Sequence, residues 1–396
     1  MRPGRHRRAR QEDIETQRHR RQGILHGEYL NNETHENRRQ PDADQPTTET
    51  ASRQYIPDRA FIRQALRLNQ QLFPRLGRRQ RYCAVKDDRK GEDMNNQCVV
   101  YVTDVEYSFP TILSALQARK FASPATDVCV LMSEHLDNFD ELRSLLATSG
   151  VDLIDATEAL QDSLGKLDGS HFQGRISVST MAKLVLCEIL PANYTQIIYL
   201  DGDTQIVSDL GGLENAVVPE GRFFAARDYT AIHDFLDTGK NSHYFNAGVL
   251  KFHRNGWIGQ EALELFARNP EACEGKHDQG ALNYVCGSSL ILVSNRWNFP
   301  KQFLHLVNMS ALSIVHYMAH PKPWHGTFFP WTDRESQVYV DLRKAHPIYN
   351  SLYRGISFDR KALYKYRSMR ARIKHAIEAN GPNPRVQSLL VGDYAV

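Results

Sequence analysis

Two carboxylates separated by one glycine, Asp201-Gly202-Asp203, follow directly on the apolar run Ile197-Ile198-Tyr199-Leu200. Alternate residues of a strand share a face, so the pair is expected to point the same way and to repel. A cation held between them, or free exposure to water, would relieve that repulsion. Carboxylate oxygens are hard ligands and suit Mn2+ or Mg2+ better than zinc. An EF-hand loop starting at Asp201 needs glycine at 206 and glutamate at 212, and Ile206 and Gly212 exclude it.

A haloacid-dehalogenase phosphatase also carries D-x-D after an apolar strand, but it wants threonine or valine where Gln205 stands and places that strand first in its domain. Read alone, the pair is equally two solvated turn residues. Further chemistry-bearing residues follow in order. Asn246-Ala247-Gly248 opens a strand with small residues that admit close backbone approach to a ligand. Asp278-Gln279 stands at a helix start, where Asp278 also has the plain reading of an N-cap. His316 ends an apolar run and Lys322-Pro323-Trp324 comes soon after; singly these are a core histidine and a surface lysine.

Strands alternating with helices must position these groups. Cys98–Asp104 reads as a strand and Ser108–Ala118 as a helix, with Pro110 suited to its first turn. Asp127–Glu134 and Val151–Asp155 read as strands around the helix Asn138–Gly150, and Ser179–Leu190 as a largely buried helix stopped by Pro191. Later strands are expected at 222–228, 245–253, 290–299 and 312–318, with helices at 257–269 and 278–287. The pattern predicts an α/β fold with a mostly parallel sheet, whose ligands lie beyond the carboxyl ends of its strands. Asp104 and Asp201 both fall at such ends.

The 396 residues are 41% apolar and 24% charged with a net charge of +3, which gives no global electrostatic case for nucleic acid. No run approaches the ~20 apolar residues of a membrane helix, and no apolar segment follows the basic start. Six cysteines without a C-x-x-C pair fit a reducing cytoplasm. Residues 1–54, rich in Arg, Glu, Asn, Gln and Thr, are expected to be a disordered extension, 55–94 a helical linker region, 95–355 the α/β domain and 356–396 a basic amphipathic tail. In that tail Leu363, Tyr366, Met369, Ile373 and Ile377 recur at three- or four-residue spacing among Lys and Arg. Such a helix either packs its apolar stripe on the domain or lies on an anionic membrane surface.

In order, D-x-D at 201–203, F-N-A-G at 245–248, D-Q at 278–279 and H-x5-K-P-W at 316–324 resemble the signature of glycosyltransferase family 8, with Arg296-Trp297-Asn298-Phe299 between the last two. That family includes glycogenin, galactinol synthase and bacterial lipopolysaccharide galactosyl- and glucosyltransferases. The resemblance runs over roughly 98–330. It implies the GT-A fold and retaining transfer from a UDP-sugar. By the same resemblance Asp201, Asp203 and His316 bind Mn2+ (Mg2+ being the other suitable ion) together with the donor diphosphate, and Gly202 lies between them in the donor site. Thr103, Asp104 and Tyr107 are implied to hold uracil and ribose. Lys183 is placed near the donor and the acidic motifs, Asn246 and Ala247 at the donor sugar, Asp278 at its hydroxyls and Lys322 at the diphosphate. Gln279, near the anomeric carbon, and Asp228, near donor and acceptor, are the implied catalytic pair. Two positions depart from the family pattern: Glu106 replaces an asparagine in Asp-x-Asn-Tyr, and Ala319 replaces a glycine.

The expected function is retaining transfer of galactose or glucose from a UDP-hexose to a saccharide acceptor, lipid-linked at the inner face of a membrane, in lipopolysaccharide or related surface-glycan synthesis. A cytoplasmic enzyme with peripheral membrane contact follows from that reading. A glycogenin-like self-glucosylating enzyme and a catalytically silent UDP-sugar-binding protein are the alternatives.

Overall fold

A computed structural model describes residues 95–165, 167, 178–240, 242–378, 383–391 and 394. The expected extension at 1–54 and linker at 55–94 lie outside these residues.

The valine-rich run after Gln97 forms β1 (Gln97–Thr103), all of it buried beyond its first residue. Its odd and even side chains enter two different apolar clusters, Val99 and Tyr101 on one face and Cys98, Val100 and Val102 on the other. Continuous apolar sequence is what a parallel strand covered on both faces requires. The chain continues through α1 (Ser108–Phe121), β2 (Thr126–Met132), α2 (Phe139–Ala147), β3 (Asp152–Asp155), α3 (Thr157–Leu164), a 3-10 segment (Val178–Leu184) and the short α4 (Leu186–Ile189). Next come β4 (Gln196–Leu200), β5 (Thr204–Ile206), α5 (Gly211–Asn215), β6 (Phe223–Arg227), α6 (Tyr229–Thr238), β7 (Phe245–His253), α7 (Gly259–Arg268) and α8 (His277–Val285). The last elements are β8 (Leu290–Leu292), β9 (Phe299–Pro300), β10 (Ile314–His316), α9 (Asp333–Ala345), α10 (Pro347–Leu352), α11 (Phe358–Glu378) and α12 (Pro384–Val391).

The large sheet has the order β3-β2-β1-β4-β7-β6-β8. Strands β3, β2, β1 and β4 run parallel, while β7 runs antiparallel to both β4 and β6. That reversal matters for function: the last residue of β4, Leu200, lies opposite Val249, so the first residues of β7 run on beside the turn after β4, where Asp201 N donates to Gly248 O at 2.7 Å. A small sheet, β5-β10-β9, sets β10 antiparallel to β5, with His316 opposite Thr204. Helix α1 is sandwiched between the two sheets, its Phe109, Ile112, Leu113 and Leu116 packing with Ile206 and Ile314.

Three expectations change. The run expected as one helix over 179–190 is a 3-10 segment and a separate short helix, broken at Val185 (φ −109°, ψ 11°). The stretch expected as one strand at 290–299 is divided between the sheets, because the turn Asn295–Trp297 interrupts it. In α11 the apolar stripe is outside: Leu363, Tyr366, Met369 and Ile373 are 43–55% exposed. The body is met instead by Tyr364, edge-on to Phe328, by Ser368, which accepts from Phe329 N, and by His375, stacked on Phe329. The Ile377 side chain is outside the described set. Beyond it, α12 buries Val386, Leu389 and Leu390 against the cluster around Phe303 and Val315.

Candidate metal centre and its surroundings

Asp201 and Asp203 are not strand residues. They occupy the turn between β4 and β5, closed by Thr204 N donating to Asp201 O at 3.2 Å. The glycine between them is required by contact: a Cβ on Gly202 would lie 2.0 Å from Thr111 Oγ1 of α1. Gly202 therefore lets the acidic turn sit down on α1, and the carboxylates converge although the strand argument for it does not hold.

The converging atoms are Asp201 Oδ2, Asp203 Oδ1 and His316 Nε2. His316 Nε2 lies 3.7 Å from the first and 3.0 Å from the second. The three side chains can each offer one ligand atom within 4.8 Å of the others. The second oxygen of each carboxylate is already held. Asp201 Oδ1 accepts from Tyr199 OH at 2.6 Å and Lys183 Nζ at 3.2 Å. Asp203 Oδ2 accepts from Lys322 Nζ at 2.6 Å. The remaining oxygen of each carboxylate, turned toward His316 Nε2, makes with that nitrogen a donor set that fits a divalent cation.

The electrostatics agree with that arrangement. Burial alone pushes the Asp203 carboxyl up, but Lys322 and then His316 overcome it and hold the group well below the ordinary carboxylate value. Burial opposes the Lys322 charge, and Asp203 raises the ammonium above its usual value. The fully buried Lys183 is likewise kept charged against desolvation by Asp201 and then Asp278.

Lys183 also carries the network to the next residues. Its Nζ donates to Ala247 O at 3.2 Å and pairs with Asp278 Oδ2 at 2.8 Å. Asp278 is thus an ion-pair partner within the first turn of α8 rather than its N-cap, which is Lys276. One residue on, Gln279 Oε1 accepts from Asn246 Nδ2 at 3.0 Å and Ala247 N at 3.2 Å, while its Nε2 donates to Asp228 Oδ2 at 3.2 Å. Asp228 caps α6 through Thr230 N.

At the end of β1, Asp104 Oδ1 accepts from Tyr107 N at 2.8 Å, and burial raises the Asp104 carboxyl above its ordinary value. The Tyr107 ring packs edge-on against Trp324, with Lys322 Nζ 5.5 Å from its centre. Thr103 lies beneath this turn: at 2% exposure its hydroxyl donates to Asp104 O and accepts from Thr111. All the expected positions, from Thr103 to Lys322, therefore gather beyond the carboxyl ends of β1 and β4 and beside the start of β7, with Thr103 and Gly202 in the floor.

Sequence reasoning passed over Tyr199 and Asn298, and it gave Gly248 only a general role in close backbone approach. Tyr199 looked like one more apolar strand residue, and Asn298 was visible only as part of Arg296-Trp297-Asn298-Phe299. The position of Ala319 is now explained. Its φ is +55°, a left-handed backbone that favours glycine, in the loop whose Ala319 and Pro321 carbonyls accept from the buried Lys301 Nζ. Ala319→Gly is expected to raise stability, by about 1 kcal/mol at most, since relief of strain outweighs the glycine's added unfolded-state entropy. Denaturant titration reads it, and a fall in midpoint would refute it.

A sheet of this order, with an acidic turn after its fourth strand, defines the GT-A type of nucleotide-diphospho-sugar transferase fold. The sequence profile described as glycosyl transferase family 8 matches residues 98–327, more than half of the chain, and the chain belongs to that family. It is 28% identical over 171 residues to a putative glycosyltransferase of Haemophilus influenzae, covering 38% of this chain and 50% of that protein. It is 25% identical over 154 residues to glycogenin of Komagataella phaffii, covering 33% and 34%. The chain thus spans half or less of the length of these curated relatives. The crystal structure of an active-site mutant of LgtC superposes with a TM-score of 0.50 at 18% identity, over 65% of this chain and 100% of that one.

Proposed function

We propose that the chain transfers a hexosyl unit, galactose or glucose, from a UDP-sugar to a saccharide acceptor with retention of configuration. The observation that carries this reading is the convergence of one oxygen from each of Asp201 and Asp203 on His316 Nε2, while their other oxygens are held by Tyr199, Lys183 and Lys322. A divalent cation bound there, Mn2+ before Mg2+, supplies charge neutralisation to a diphosphate leaving group. Lys322, already charged and 2.6 Å from Asp203, is placed to meet the same phosphates. Asp104 and Tyr107 take the uridine end, and Asn246, Ala247 and Asp278 the sugar.

Gln279 and Asp228 lie on the sugar side. The Gln279 carbonyl has two N–H donors, which makes it a fixed dipole rather than a base and favours same-face attack without a covalent adduct. No described helix is long and apolar enough to cross a membrane. The outward stripe of α11, among exposed Arg360, Lys361, Arg367 and Arg370, supports docking on an anionic membrane surface at which a lipid-linked acceptor of surface-glycan synthesis is reached from the cytoplasmic side. Co-sedimentation with anionic but not zwitterionic vesicles is expected, and Met369→Glu with Ile373→Glu should abolish it; equal sedimentation with both lipids removes the docking.

The test of the activity is UDP release from a set of UDP-sugars with and without Mn2+. Release with one UDP-hexose, dependent on the ion, supports transfer. Donor binding without release in any condition leaves a silent binder. A mass increase of the protein itself on incubation with UDP-glucose would point to the self-glucosylating alternative instead.

A further inference from the structure

Asn298 follows the short turn Asn295–Trp297 and is 1% exposed. Its Nδ2 donates to Asn246 Oδ1 at 2.8 Å, and its Oδ1 lies 3.0 Å from His316 Nδ1. The direction of these bonds follows from one group that cannot be reversed, a backbone amide. Gly248 N–H donates to Asn246 Oδ1 at 3.0 Å, so that atom is an acceptor. The other end of the same amide, Asn246 Nδ2, accordingly faces two acceptors, Asp228 Oδ2 and Gln279 Oε1. Asn298 must then turn its NH2 toward Asn246 and its carbonyl toward His316. A carbonyl only accepts, so His316 Nδ1 carries a proton.

We propose that Asn298 is a positioning residue: it fixes His316 with Nδ1 protonated and Nε2 presented toward Asp201 and Asp203, and through Asn246 it ties the metal centre to the Gln279–Asp228 side of the site. Outer partners of this kind orient ligating histidines and set their basicity. Here the partner faces two ways, because its donor end and its acceptor end serve different halves of the site. The inference rests on the metal-dependent reading above for its functional half, and on hydrogen-bond direction alone for its structural half.

Substitutions separate the two ends. Asn298→Asp keeps an acceptor for Nδ1–H and loses the donor to Asn246. Asn298→Leu loses both. Nitrogen-15 imidazole NMR on the metal-free wild-type protein should find His316 protonated at Nδ1, alone or together with Nε2, which faces Asp203 Oδ1 at 3.0 Å, and this needs no variant to fold. A ring found as the Nε2–H tautomer overturns the proposal. Mn2+ affinity, read by electron paramagnetic resonance, should fall about 10- to 100-fold in Asn298→Leu and far less in Asn298→Asp. UDP-sugar turnover should fall in both, since both free the Asn246 carbonyl. Equal Mn2+ affinity in wild type and Asn298→Leu also overturns the proposal. If the wild-type protein binds no Mn2+, the metal reading fails, and the tautomer measurement still decides what Asn298 does.

Discussion

Asp203→Asn is expected to lower Mn2+-stimulated UDP release by about 10³-fold or more, the equivalent of roughly 4 kcal/mol of lost charge stabilisation. The reason is a count of acceptors. Both oxygens of Asp203 are committed, Oδ2 to the Lys322 ammonium at 2.6 Å and Oδ1 to the convergence point beside His316. An amide keeps only one oxygen. The buried Lys322 claims it, because its ammonium would otherwise keep only the Tyr317 carbonyl, at 3.0 Å, as acceptor, which is costly for a buried charge. The NH2 group is then turned toward the cation position, where it cannot ligate. The measurement is release against Mn2+ concentration, with circular dichroism to verify the fold. A folded variant within tenfold of wild type would sink the metal assignment.

Gly248→Ala should lose Mn2+ affinity by at least about 100-fold while keeping its fold. A Cβ there would stand 2.2 Å from His316 Cε1, 2.6 Å from Asp201 Oδ2 and 2.7 Å from His316 Nδ1. The backbone is poorly placed to retreat: β7 is paired on both sides, and Gly248 O accepts from Asp201 N at 2.7 Å. The side chains must give way, and the ones that do are metal ligands. His316 is 3% exposed and clasped by Asn298, so it too has little room. Calorimetric or paramagnetic titration of Mn2+ reads the outcome. Wild-type affinity in this variant would mean that residues 201, 248 and 316 do not share one site.

Several elements were legible from local pattern because burial writes itself into sequence. β1 and β4 sit in the covered middle of a sheet, and their uninterrupted valine, isoleucine and tyrosine show it. The ordered acidic, F-N-A-G, D-Q and K-P-W stretches pointed to side chains that the fold brings together, Asp201, Asp203, Asn246, Gln279, His316 and Lys322 among them. The breaks were harder to see. Val185 and the turn at Asn295–Trp297 interrupt runs that look continuous, since hydrophobicity is similar in a helix, a 3-10 turn and a short strand. Periodicity also showed that α11 has an apolar stripe without showing which way it turns. Tyr364, His375 and Ser368 anchor the other face, and a helical pattern carries no record of its partner.

The amino-acid sequence by itself determined which chemical groups are available: two hard carboxylates, an imidazole, two lysines, and amides beside small residues, strung along strand ends of an α/β chain. Only the tertiary structure decided that they form one centre. Asp203 and Lys322 meet across 119 positions of chain, and the convergence depends on β7 running against β4 and on β10 pairing back onto β5. It also decided which oxygen of each carboxylate turns toward His316 and which way each amide faces. A side chain's type sets what it can donate or accept, but its direction is set by neighbours that only the folded chain supplies.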